Sequence, residues 1–393
     1  MSLDEAYRLH FGRADNPHLI FSPYRICPLG AHVDHQHGVV TGFAFDKGIE
    51  LLFSPTDNGK IEMCSLSFEG LVAFNVRNTI DAVQHNWGDY VRGATFALKQ
   101  KYDLRRGFRG VIKGSMPIGG LSSSAAALVS YVMALAYANG LELSPMEVVE
   151  FASYAEREYV GLRNGILDQA CVVLCRKDAL LSLDTSDNDY RILPVNPAMK
   201  DFEIAVFFSG VTRSLIGTDY NLRVSECKTA AWCMQAYKDI PLHDFEQTRL
   251  RDVPRALFDE VGERMPARFR RRAEHFYAEC DRVRRGVEAW RQGDIEGFGR
   301  LVFESCRSSI DNYECGSEEL KALYEIMLAT EGIYGGRFSG AGFKGCCIAL
   351  IDPAYRESIE RRVSEEYLSR YPQYRELFEV HFCRTEAGAR FVY

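Results

Sequence analysis

Hydrophobic and polar positions change period several times along the chain. From Leu19 to Phe53 short apolar runs such as GVVTGFAF and KGIELLFSP alternate with turn residues, and Lys60 to Val76 continues the pattern, which predicts a β-rich start. Between Asp89 and Gln100 the apolar spacing becomes helical. A strand-like run over Gly107–Met116 then meets two glycines and a long helix predicted over Ser122–Asn139, ended by Gly140. Ser144-Pro145-Met146-Glu147 supplies a capping serine, a first-turn proline and a reciprocal glutamate, so a second helix runs from there to about Tyr159. Another is predicted from Gly165 to Leu174. The polar stretch Asp184–Lys200 carries two prolines and marks a boundary between domains 1–195 and 196–393. Beyond it lie a buried strand (Phe202–Ser209), helices over Tyr220–Tyr237 and Pro266–Gln292, a turn and strand over 337–351, and a helix over 353–369. The class is α+β in two halves.

Composition narrows the function. The 393 residues are 47% hydrophobic and 26% charged, as in a globular protein, and this excludes a disordered chain, a collagen or a coiled coil. The net charge of −7 argues against a general nucleic-acid binder, whose balance is basic. Twelve scattered cysteines contain no C-x-x-C pair and read as buried thiols in a reducing compartment. The adjacent pair Cys346-Cys347 would point to opposite faces of a strand. The most apolar stretch, Ala125–Ala138, includes Ser130, Tyr131 and Tyr137 and is too short and polar to span a membrane. The N-terminal residues have no apolar core of the signal-peptide kind. The expectation is a cytoplasmic protein without membrane or nucleic-acid partners.

Four segments carry candidate chemistry. In Pro117-Ile118-Gly119-Gly120-Leu121-Ser122-Ser123-Ser124-Ala125-Ala126 a glycine turn opens a helix inside a run of hydroxyls. Free amides at a helix start favour an anion, and glycines admit a phosphate to the backbone. A plain serine cap fits the segment equally well, although it needs only one serine. No Gly-Lys-Ser/Thr follows, so this is not a Walker A loop. Near the C-terminus, Gly340, Gly342 and Gly345 match G-x-G-x-x-G formally, but the strand-like CCIALID follows where a dinucleotide fingerprint needs a helix. A glycine hairpin remains, with or without a ligand. In Tyr24-Arg25-Ile26-Cys27-Pro28-Leu29-Gly30-Ala31-His32-Val33-Asp34-His35-Gln36-His37, three histidines crowd beside an aspartate. Zinc lacks its further ligands there, which leaves a polyol site or an ordinary turn. In Gly165-Ile166-Leu167-Asp168-Gln169 the acid reads as a helix cap or as an active-site carboxylate. The arginines at 268–272 and 282–285 read as a solvated helix face, and His275 with Glu279 at i,i+4 as a surface pair more often than a metal site.

Taken together, these segments resemble the galactokinase, homoserine kinase and mevalonate kinase (GHMP) superfamily, in its sugar-1-kinase branch. Three motifs match in order across nearly the whole chain: the first around Arg25–Asp34, the phosphate loop Pro117–Ala126, and the third at Gly335–Cys346. PYRICPLGAHVDHQHG, YVGLRNGILDQ, DYNLRVSEC and SSIDNYECG are most similar to the galacturonokinase subfamily. The resemblance implies a GHMP fold, with a ribosomal-protein-like N-terminal half, a ferredoxin-like C-terminal half and the active site between them. It implies ATP as phosphoryl donor, Mg²⁺, and a small sugar or sugar acid as acceptor, in a monomer or dimer. Asp168 would meet the anomeric hydroxyl with Arg25 beside it. Gly119, Gly120, Leu121, Ser122, Ser123, Ser124 and Ala125 would cradle ATP, Gly340 and Gly342 would close over it, and Trp87 with Tyr90 would lie near the base or form a buried aromatic pair. Ser124 and Glu156 would serve the metal. His32, Asp34 and Tyr220 would hold sugar hydroxyls.

Two departures bear on the substrate. Galactokinases carry Glu where this chain has Ala31, and Tyr where it has His35. In galactokinases that Glu contacts the sugar's C6 hydroxyl, so the resemblance implies that a carboxylate at position 31 would repel one at C6 of a uronic acid. Its loss fits D-galacturonate, with Arg163 first and Arg223 second as the cation that meets C6. The other readings are a galactokinase that tolerates Ala31, and a catalytically silent relative that senses sugar and nucleotide.

Overall fold

The computed structural model describes residues 1–13, 16–211, 219–242 and 244–393, with only the backbone of Asp219. Its N-terminal half is built around Val39–Thr56, an 18-residue strand. That strand pairs antiparallel with His18–Ile26 on one side and Gly107–Gly114 on the other. Lys60–Ser65 extends the sheet in parallel and Leu71–Asn75 closes its edge. Alternation along the central strand sends Phe43, Phe45, Leu51 and Phe53 into the main core, while Leu52 packs under the N-terminal Leu3–Phe11 helix.

A second sheet begins beyond residue 195. Its four antiparallel strands run in the order Glu379–Cys383, Glu203–Phe208, Cys346–Ile351, Ile333–Phe338. Both of its faces are covered. Ile204, Val206, Phe208 and Cys346 join one core, and Ala205, Phe207 and Cys347 the other, so the adjacent cysteines do point to opposite faces. The last strands cross back: Thr385–Glu386 pairs with the central N-terminal strand and Arg390–Phe391 with His18–Ile26. All twelve cysteines are free thiols. Among the described residues no helix is long and apolar enough to cross a membrane.

Most predicted elements form within a residue or two of their expected limits, including the reciprocal Ser144–Glu147 cap. Two expectations fail for physical reasons. The helix expected to reach Tyr159 is α-helical over Pro145–Tyr154 and then widens into a π-turn over Ala155–Val160. Such turns re-aim side chains, and this one carries Glu156 into the interior, where the residue is 1% exposed. The charged stretch expected on a solvated face is partly core. In the Ala267–Gln292 helix, Arg272, His275, Glu279 and Arg282 are buried. Most find partners: Arg272 in Glu226 and Glu314, Glu279 in Ser305 and, within the helix, Arg282, and His275 in Ser308 and Ala31, while Arg282 Nη2 is left without a partner. Pairing of that kind makes burial of charge tolerable.

Candidate active site

Two glycine-bearing loops meet where the halves face each other. Gly120 (φ +80°) and Ser122 (φ +55°) adopt the left-handed region just before the Ser123–Ala138 helix. Ser122 occupies the cap position but caps nothing; its hydroxyl donates instead to Asp168 Oδ2. The first amides of a buried apolar helix are therefore left without a side-chain cap, which suits an anion. From the other half, Ser339 Oγ donates to the Gly120 carbonyl at 2.6 Å. A Cβ on Gly345 would lie 2.6 Å from Gly119 C, and one on Gly340 would lie 3.0 Å from Gly120 Cα. The two backbones touch, and side chains there would hold them apart. Gly342 packs behind this contact, against Phe338.

Asp168 is the second residue of the Leu167–Leu174 helix, with Ile166 in the cap position, so its carboxylate is not spent on a cap. Arg25 Nε donates to Asp168 Oδ1 at 2.8 Å, and Arg25 Nη1 reaches the Gly120 carbonyl at 3.2 Å and Ser339 Oγ at 3.4 Å. Burial works against the charge of Arg25, but Asp168 more than compensates and holds the guanidinium above its ordinary value. The arginine side chain is 5% exposed and the aspartate 22%, so the carboxylate is the member open to a ligand. Asp34 is pushed up to about 6 by burial and by the neighbouring Asp168.

Glu156 accepts from Gln169 Nε2 at 2.6 Å and Asn164 Nδ2 at 2.7 Å and is hydrogen-bonded to the Ser124 hydroxyl. Burial, then Asp168, raises its pKa. The other amide oxygens, Asn164 Oδ1 and Gln169 Oε1, are enclosed without a protein partner. Both amides turn their NH2 groups to the carboxylate, so Glu156 and the Ser124 hydroxyl are the hard oxygen donors here. Among the described residues no group of three or more His, Cys, Asp or Glu could hold a metal by itself. Beside Ser123 and Ser124, Trp87, Tyr90, Phe68 and Tyr131 line a slot of about 130 Å³. The Trp87 indole is fixed by donating to the Glu69 carbonyl at 3.1 Å.

The first motif forms a wall made of distant side chains. His32 (φ +61°) stacks on Tyr313 with ring centres 4.3 Å apart, and its Nε2 lies 3.5 Å from Cys315 Sγ. His35 Nδ1 accepts from Gln36, so its Nε2–H donates to Tyr313 Oη at 3.1 Å. Tyr220 meets the His35 ring edge-on at 6.0 Å. Burial lowers the pKa of His32, and that of His35 to about 3, which keeps both rings neutral. Ala31 contributes no polar side chain, and Glu279 and His275 hold its backbone from behind.

The two candidate cations part company. Arg163 has a 57% exposed side chain that pairs with Glu246 at 3.3 Å, while its amide donates to Asn221 Oδ1, beside Tyr220, at 3.4 Å. Arg223 lies one turn from Tyr220 in the Asp219–Ala236 helix, pairs with Glu226 at 3.0 Å and reaches the Glu314 carbonyl at 3.3 Å. Its Nε is enclosed without a partner. Sequence reasoning gave no site role to Tyr313, Cys315, Glu279, His275 or Ser339. For the first two the one available signal was the segment SSIDNYECG.

This is the architecture of a small-molecule kinase: a glycine loop opening a helix, a second glycine turn against it, and an arginine-held carboxylate beside both. Residues 89–176 match the GHMP kinases N terminal domain and residues 287–369 the GHMP kinases C terminal domain. The chain is 40% identical to a galacturonokinase of Arabidopsis thaliana, over 91% of this chain and 88% of that one. It is 31% identical to a galactokinase of Thermococcus kodakarensis, over 92% and 97%. It superposes on the Lactococcus lactis galactokinase complexed with galactose with a TM-score of 0.89 at 27% identity, covering 98% of each chain. The chain belongs to the GHMP kinases. It is a phosphotransferase that uses ATP as donor and an alcohol group as acceptor.

Proposed function

We propose that this kinase transfers the γ-phosphoryl group of ATP to the anomeric hydroxyl of D-galacturonate, giving galacturonate 1-phosphate. The observation that carries the substrate is the charge around the first motif. Ala31 offers no carboxylate, and among the described residues the buried Arg272, 5.9 Å from the Tyr313 ring, and Arg223 share Glu226 and Glu314 with the more exposed Arg268 and Arg271, four cations to two acids. That surplus suits an anionic sugar. Arg223, with its unpartnered Nε, is the member assigned to C6. The 40% identity to a galacturonokinase supports the same reading. The galactokinase alternative rests on the 0.89 TM-score to a galactose complex.

The residues divide the work. His32, Asp34 and Tyr220 hold sugar hydroxyls. Asp168 accepts a hydrogen bond from the anomeric hydroxyl and aims its oxygen at the phosphoryl group. Phosphoryl transfer passes through a loose transition state, so orientation and charge matter more than early proton removal. Asp168 takes the proton late, and Arg25, already fixed between Asp168 and Gly120, stabilises charge at the junction. Gly119, Gly120, Leu121, Ser123, Ser124 and Ala125 receive the ATP phosphates, Ser122 steadies Asp168, Gly340 closes the turn, and the Trp87–Tyr90 slot takes the base. Glu156 and Ser124 fit Mg²⁺, which favours hard oxygen ligands and, bound, would neutralise phosphate charge. The free thiols fit a cytoplasmic setting. Incubation with ATP, Mg²⁺ and D-galacturonate should remove the sugar's reducing end in step with ATP consumption; an intact reducing end in a phosphorylated product would contradict anomeric transfer.

A further inference from the structure

The backbone of Gly30, Ala31 and His32 is unusual and is held from the opposite half. Gly30 has φ +97° and His32 φ +61°. A left-handed histidine is strained and persists only where its surroundings over-determine it. The start of the loop is tied within its own half, where the Thr41 hydroxyl donates to the Leu29 carbonyl at 2.8 Å. Its crest is tied elsewhere. Glu279 Oε1, from the Ala267–Gln292 helix, accepts from the Gly30 amide at 2.8 Å and the Ala31 amide at 3.2 Å. His275 Nε2, one turn earlier, donates to the Ala31 carbonyl at 2.9 Å. Every polar backbone group of Ala31 is thus engaged by one helix of the C-terminal half.

The clamp is itself braced. Glu279 also takes Ser305 Oγ at 2.6 Å and Arg282 Nε at 2.7 Å, and His275 Nδ1 is 3.0 Å from Ser308 Oγ. Arg337, from the third motif, bonds Ser305 and Ser309. Glu279 is 0% exposed and His275 1%, so neither can touch a ligand. They act through the loop alone.

We propose that Glu279 and His275 are positioning residues of the acceptor site. From the C-terminal half they fix the peptide planes on either side of Ala31, and so set the angle at which His32 meets the sugar. The third glycine motif and the clamp lie in the same half and are joined through Arg337 and Ser305. Seating that half against the phosphate loop therefore also sets the acceptor loop, which makes sugar affinity, and not nucleotide affinity, sensitive to this helix. The inference rests on the sugar meeting residues 31–34.

The test pairs kinetics with hydrogen exchange on the full chain. H275F removes the donor to Ala31 without stranding a buried charge; H275Q restores an amide donor; E279Q weakens the grip on both amides. H275F should raise KM for D-galacturonate about tenfold, the loss expected for one buried hydrogen bond, and leave KM for ATP within about twofold. H275Q should recover most of the loss. In E279Q the Gly30 and Ala31 amides should exchange about tenfold faster than in wild type while the central strand keeps its protection. If E279Q does not fold, H275F decides through the KM split. Equal shifts in both KM values, or unchanged exchange at Gly30 and Ala31 in a folded E279Q, would overturn the clamp. If wild-type protein turns over no sugar, the substrate reading fails, and the exchange measurement still decides the clamp.

Discussion

The phosphate side and the acceptor side of this site are built from different materials. On the phosphate side backbone meets backbone: Gly119 and Gly120 face Gly340 and Gly345 at distances that leave no room for a Cβ, and Ser339 bonds a peptide carbonyl. On the acceptor side aromatic, acidic and basic side chains interlock: His32 on Tyr313, His35 on Tyr313 and Tyr220, Ala31 on Glu279 and His275. The donor has one chemistry, and a peptide cradle suited to phosphate serves any acceptor. The acceptor side must distinguish one small molecule from another, and side chains can be exchanged without disturbing the cradle. A kinase built this way can change substrate while keeping its phosphate loops.

Asp168→Asn breaks the junction between the two sides and should have the largest effect. kcat should fall about a thousandfold or more, as for a lost positioned proton acceptor, with ATP binding measured by fluorescence titration unchanged. An active Asn variant would remove Asp168 from its role. Next is the acceptor side alone. Arg223→Leu should cut kcat/KM for D-galacturonate about a hundredfold, the scale of a lost charge-assisted contact, and leave D-galactose within a few-fold. Equal losses for both sugars would assign Arg223 to folding. The phosphate side alone is probed by Gly345→Ala, at φ +95° with its new Cβ 2.6 Å from Gly119. KM for ATP should rise about tenfold, given the 1–3 kcal/mol typical of such strain, with a smaller rise in the sugar's KM because the same seating sets the acceptor loop.

The smallest effect is in pH. Asp34, pushed up to about 6 by burial and Asp168, would accept most strongly from sugar hydroxyls when ionised. Lowering the pH through 6 protonates it, so kcat/KM for the sugar should show an acid limb near pH 6, while activity is kept above it. Asp34→Asn should abolish the limb along with most of the sugar affinity. An acid limb of the same shape in Asp34→Asn would assign it to another group.

The same division explains what the sequence made legible. Turn glycines, a helix start and the Ser144–Glu147 cap are local patterns, so the glycine turn before the Ser123–Ala138 helix and most elements could be placed from spacing. The Arg25–Asp168 pair spans 143 positions and could be expected only through resemblance. The wall behind Ala31 was not legible. Glu279 and His275 lie in a helix so rich in arginine that it reads as solvated, and their partners at Gly30 and Ala31 are about 250 residues away in the chain. Arg163, in a conspicuous glycine-flanked segment, has its exposed side chain paired with Glu246, whereas Arg223, in an ordinary helical pattern, lies beside the wall. Local sequence shows which residues bend the backbone; it does not show which charges find partners.

The central claim is that the acceptor side selects a carboxylate-bearing sugar while the phosphate side is generic. The most direct measurement is kcat/KM of the wild-type protein for D-galacturonate and D-galactose at saturating ATP and Mg²⁺. A preference for galacturonate of tenfold or more (about 1.4 kcal/mol) is predicted. Equal efficiency, or a preference for galactose, would contradict the reading of Ala31 and Arg223.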